Sequence, residues 1–180
     1  MVTRWQSSSL SLQRMAEREM AWCLRINRVT NKVLIERSFA VVSRLGNGVF
    51  WYSLMLALLL FQGLAATQAI EHMLATGLLC LVIYKWLKAK MTRPRPCNCH
   101  KAIRAIVPPL DQYSFPSGHT LHAVAFSIVA IYHFPRLTWL LLPFTTLVAL
   151  SRLILGLHYP SDVLAGALLG AGLAALVLQL

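Results

Sequence analysis

The 26 residues between Arg44 and Glu71 carry no charge. A helix needs about 20 apolar residues, at about 1.5 Å each, to cross a hydrocarbon core of about 30 Å. Two further charge-free runs lie between Asp111 and Arg136 and from Val163 to Leu180. Two shorter apolar runs, 73–84 and 137–151, reach spanning length when Lys85, Lys88, Arg136 and Arg152 extend toward headgroups. Residues are 57% hydrophobic and mean hydropathy is +0.61. Too little polar surface remains to clothe a soluble domain of 180 residues. The expected fold is all-α: an integral membrane helix bundle with about five transmembrane spans and an N-terminal amphipathic interfacial helix. The spans are expected near 47–69, 71–88, 119–135, 137–152 and 162–180. Residues 1–45 then form the interfacial segment and 46–180 the membrane-embedded domain.

Between Leu12 and Leu24, the apolar residues Leu12, Met15, Ala16, Met20 and Cys23 recur at helical steps, with Arg14, Arg18 and Arg25 largely between them. Such a helix suits a membrane surface. Residues 1–45 are dense in charge and lack an early apolar core. The first span is therefore expected to act as an uncleaved signal. The net charge of +11 sits beside the spans, without the interleaved aromatics of a nucleic-acid platform. Anionic headgroups and a phosphorylated substrate account for it instead. Cys97-Asn98-Cys99-His100 lacks the second ligand pair of a zinc site, so no metal is expected. The small-residue face around Gly166-x3-Gly170 is expected to pack inside the bundle.

Three polar motifs sit beside these apolar runs: Lys88-x6-Arg95-Pro96, Pro116-Ser117-Gly118-His119 and Ser151-Arg152-x5-His158-x3-Asp162. They supply cations, hydroxyls, imidazoles and a carboxylate, the set needed to hold a phosphate, attack it and protonate what leaves. Ser117 fits a helix N-cap, and Gly118 leaves room for a ligand near unpaired amides. Ser161 can cap the last span. Asp162 can then meet the ring of His158 and fix its tautomer. Arg152 offers a planar fork for phosphate oxygens. Local sequence alone does not choose between Arg93-Pro94 and Arg95-Pro96 as the loop cation.

These motifs, in this order and without a substituted position, resemble those of the type-2 phosphatidic acid phosphatase family. The resemblance covers roughly residues 85–165. Its K-x6-R-P spacing selects Arg95, seven residues after Lys88. It implies that His158 is the nucleophile that becomes a phosphohistidine, Asp162 its orienting carboxylate, and His119 the general acid. Lys88, Arg95, Ser117, the Gly118 amide and Arg152 would form the phosphate cradle, with no cofactor or metal.

A site at a membrane edge favours a substrate with a lipid tail. The resemblance implies a lipid phosphate phosphatase in a cell (inner) membrane, with undecaprenyl diphosphate as the preferred substrate. Phosphatidylglycerophosphate, phosphatidate and lipid A are the alternatives. A lipid phosphotransferase or a non-catalytic lipid-binding protein are the other classes. Vanadium haloperoxidases share the cradle but are soluble. The resemblance implies a site on the periplasmic or outer face. The eight cations before the first span argue for the cytoplasmic face.

Overall fold

The computed structural model describes residues 10–109 and 111–180. Among the described residues eight α-helices follow one another: α1 (Leu10–Asn27), α2 (Val33–Leu45), α3 (Val49–Gln62), α4 (Thr67–Lys90), α5 (Pro96–Cys99), α6 (Gly118–His133), α7 (Thr138–Ile154) and α8 (Pro160–Val177). No strand occurs among the described residues.

The apolar runs become α3, α4, α6, α7 and α8. Large side chains stand bare on their outer faces: Phe61 is 85% exposed, Leu64 86% and Trp139 87%. Surfaces of this kind are stable only against lipid or a partner. Val49–Lys90, Pro135–Ile154 and Pro160–Val177 are long and apolar enough to cross a membrane.

The first boundary differs from expectation. The charge at Glu71 suggested a break near 70. The chain instead turns at Gly63, whose φ of +56° favours glycine, and continues through a 3-10 turn into Thr67. Glu71 lies inside α4.

At the centre α6 packs on α8, with α4 on one side and α7 on the other. Gly166 and Gly170 make this possible. A Cβ at Gly166 would lie 2.5 Å from the Ser117 carbonyl, and one at Gly170 2.3 Å from that of Leu121. The small-residue face is thus a contact within the bundle.

Helix α1 turns Ala16 and Cys23 onto Ile103 and Tyr159; the side chains of Leu12 and Met15 lie outside the described residues. Helix α2 packs on α7. Its 13 residues reach only about 20 Å, short of a hydrocarbon core.

Candidate active site

The polar ends of α4, α6, α7 and α8 meet below α1 and the Pro-rich connection. Three backbone devices assemble them. Gly156, at φ +69°, reverses the chain after α7. The Ser117 amide donates to the Asp162 carbonyl at 3.0 Å, tying the start of α6 to that of α8. Arg95 Nη1 donates to the Leu157 carbonyl at 2.8 Å, bringing the loop motif beside His158.

The same Arg95 Nη1 lies 3.2 Å from His158 Nε2. Arginine can only donate, so Nε2 is the acceptor and the ring proton resides on Nδ1. That nitrogen faces Asp162 Oδ2 at 3.6 Å, long for a hydrogen bond but within ion-pair range. His158 is buried among cations. Burial first, then Arg152, Arg95 and Lys88, push its pKa well below the ordinary imidazole value and keep it neutral.

Asp162 is fully buried and has two other commitments. Oδ1 accepts from Arg93 at 2.6 Å, and Oδ2 accepts the Tyr159 amide at 2.8 Å. The second bond makes Tyr159 the N-cap residue of α8, with Pro160 in the first turn. Ser161, expected as the cap, lies two residues inside. The reason is that the Asp162 carboxylate reaches back to the amide three residues earlier, the bond that closes this end.

On the opposite wall, His119 stands on the first turn of α6, within electrostatic reach of Arg152, His158 and Arg95. Its Nε2 is buried and lacks a hydrogen-bond partner among the described residues, as does Arg152 Nε. Arg152 Nη1 is steered by the Ser43 hydroxyl of α2.

Ser117 is the N-cap of α6 without a side-chain cap bond. Its Oγ pairs with Thr120 Oγ1 at 3.0 Å. Gly118 is required for a reason beyond ligand approach: a Cβ there would lie 2.6 Å from the Tyr84 ring.

Three charged residues outside the motif set complete the site. Asp111 Oδ1 bridges Lys88 Nζ at 2.8 Å and Arg95 Nη2 at 2.5 Å, and Tyr84 donates to its other oxygen. Burial raises the carboxyl pKa, but bonds from Lys88 and Tyr84 and the two cations outweigh it and hold the value at about 2. Arg93 and Glu19 pair behind Asp162 at 2.7 Å. Neither Asp111 nor Glu19 belongs to a recognisable pattern; Arg93 stood out only as the unchosen half of Arg93-Pro94-Arg95-Pro96. His72 and His133 pair at 3.1 Å, at the ends of α4 and α6 remote from Lys88 and His119.

An apolar groove of about 470 Å³ leads away from Tyr84, Gly118 and His119. Its walls are Tyr52, Met55, Leu74, Leu78, Leu81 and Phe126, from α3, α4 and α6.

The PAP2 superfamily profile matches residues 56–180. The chain belongs to the PAP2 superfamily. It is 36% identical over 114 residues to undecaprenyl-diphosphatase BcrC of Bacillus subtilis, covering 62% of this chain and 57% of that one. It is 29% identical over 143 residues to an undecaprenyl-diphosphatase of Sulfolobus acidocaldarius, covering 77% and 67%. It is 41% identical over 93 residues to a decaprenylphosphoryl-5-phosphoribose phosphatase of Mycobacterium tuberculosis, covering 51% and 49%. The crystal structure of Aquifex aeolicus LpxE matches over 100% of both chains, with TM-score 0.75 and 25% identity. A PAP2-type phosphatidylglycerolphosphate phosphatase from Bacillus subtilis shares the fold at TM-score 0.71 and 23% identity, over 95% of this chain and 86% of that one. This PAP2 member is thus an all-helical, multi-pass membrane protein.

Proposed function

We propose that this protein is a membrane lipid phosphate phosphatase working through a phosphohistidine on His158, with undecaprenyl diphosphate as its substrate. The observation that carries this reading is the junction of two features. His119 lies within electrostatic reach of His158, Arg152 and Arg95, and an apolar groove begins at His119. A phosphoryl group fits the first and a lipid tail the second.

The phosphoryl oxygens take the place of the Asp111 carboxylate on Lys88 and Arg95, and Arg152, Ser117 and the Gly118 amide complete the cradle. The His158 Nε2 lone pair forms the N–P bond as the P–O bond to the lipid leaving group breaks. His119 gives that oxygen a proton. The ring becomes cationic, and the Asp162 carboxylate opposes this charge across Nδ1. A water then attacks phosphorus and gives a proton to His119; the N–P pair returns to Nε2 and inorganic phosphate leaves. Fixed cations offset the charge that builds on the transferring group.

The preference for undecaprenyl diphosphate rests on the names of the Bacillus and Sulfolobus relatives. A lipid A-type phosphate is the second reading, favoured by a Rhizobium lipid A 1-phosphatase 34% identical over 89 residues. Phosphate release by the purified protein from undecaprenyl diphosphate, phosphatidate, phosphatidylglycerophosphate and lipid A decides between them. The highest kcat/KM is expected on undecaprenyl diphosphate. Release from none of the four would end the phosphatase reading.

A further inference from the structure

The motif set leaves one buried cation without a task. Arg93 is fully buried, and a guanidinium does not shed its charge at such a position. It needs anions, and it has two: Asp162 Oδ1 at 2.6 Å and Glu19 Oε2 at 2.7 Å. Arg93 also donates to Ser161 Oγ at 2.7 Å, and its plane lies 3.9 Å from the Tyr159 ring centre. These contacts lie behind His158; the cations of the phosphate gap are Lys88, Arg95 and Arg152.

Glu19 comes from α1, outside the residues 56–180 that match the superfamily profile. Besides Arg93, it holds the first turn of α8: Oε1 accepts the Ser161 amide at 2.9 Å and Oε2 the Ser161 hydroxyl at 2.8 Å. One carboxylate therefore grips both the partner of Asp162 and the helical turn on which Asp162 stands.

We propose that Glu19 and Arg93 are positioning residues for the nucleophile, an outer support delivered by the N-terminal helix that sets the Asp162 carboxylate behind His158. The proposal rests on His158 being the nucleophile. Its physical content is a charge-sharing argument. Arg93 paired with Asp162 alone would neutralise that carboxylate. Divided between two carboxylates, it leaves Asp162 negative potential to direct at His158 Nδ1 when the ring becomes cationic. Ser161, held by both Glu19 and Arg93, fixes the distance over which that potential acts.

The test uses purified full-length protein in detergent, with undecaprenyl diphosphate as substrate and orthovanadate as a phosphate-shaped inhibitor. Glu19→Gln keeps the size and loses the charge. Expected are a kcat about 10-fold lower, with KM and the vanadate inhibition constant within about twofold, and recovery of most of the loss in Glu19→Asp. A role confined to holding the fold would lower the melting temperature and move kcat, KM and vanadate binding together; that result overturns the proposal, as does an unchanged kcat. If Glu19→Gln does not fold, Ser161→Ala is decisive: a fall in kcat at steady KM supports the proposal and an unchanged kcat refutes it. His158→Ala separates the two levels of the argument. Turnover retained there removes the nucleophile and the proposal with it, whereas turnover lost there with Glu19→Gln at full kcat removes only the proposal.

Discussion

At the scale of single residues, the site is defined by what each side chain is prevented from doing. Arg95 cannot accept, so it fixes the proton of His158 on Nδ1 and leaves Nε2 with a lone pair. Asp111 prevents Lys88 and Arg95 from standing unpaired. It occupies the cations that the substrate must take, and with its pKa at about 2 it remains charged across the physiological range. Asp111→Asn should therefore lower the orthovanadate inhibition constant about 10-fold or more, since a hydrogen bond to a charged group contributes about 1.5–3 kcal/mol. A constant that rises instead would make Asp111 a builder of the cradle rather than its occupant. The candidate residues of this site could be singled out in the sequence because His119, Arg152, His158 and Asp162 lie at motif spacings. Asp111, Glu19 and Ser43 could not. Their partners are 16 to 142 residues distant, and only the path of the Pro-rich connection and the docking of α1 and α2 bring them in. Arg93-Pro94 and Arg95-Pro96 look alike locally and are told apart by the spacing from Lys88 and by what the fold places against each.

Among elements, the contact of α6 with α8 places the two histidines opposite one another. It depends on glycines whose missing side chains admit backbone. Gly166→Ala would drive a methyl group into the Ser117 carbonyl and cost about 1–3 kcal/mol, the usual scale of overpacking. The displaced carbonyl shares a peptide bond with the Gly118 amide proposed for the cradle, so activity should fall further than the melting temperature implies. Gly172→Ala, with nothing within 4 Å, should leave both unchanged; equal losses in the two variants would contradict this packing. The five apolar helices were readable from charge-free runs because burial in lipid excludes charge along a whole segment. The boundary at Gly63 was not, because a charge near a helix end resembles a boundary while the turn itself is set by one positive φ. The N-cap of α8 was misplaced for a related reason: Ser161 has the capping side chain, but Asp162 reaches the amide that needs an acceptor.

For the molecule as a whole, the site gathers the ends of four helices on one face, and α1 and α2 lie over the same end. The 13 residues of α2 are too few to cross the bilayer, so α1 and the site share a side. We propose that this side faces outward, against the eight N-terminal cations. Reporters fused at residue 1 and within 97–104 should both read outward; a cytoplasmic signal from both would reverse the orientation while leaving the chemistry intact. We propose that phosphorus is transferred to His158 Nε2 before water receives it. The most direct measurement is to mix enzyme with a lipid phosphate labelled in the transferred group, stop the reaction in alkaline denaturant and follow label on the protein. Wild type should carry base-stable, acid-labile label, and His158→Ala should carry none and release no phosphate. Phosphate release by folded His158→Ala at the wild-type rate would contradict the account.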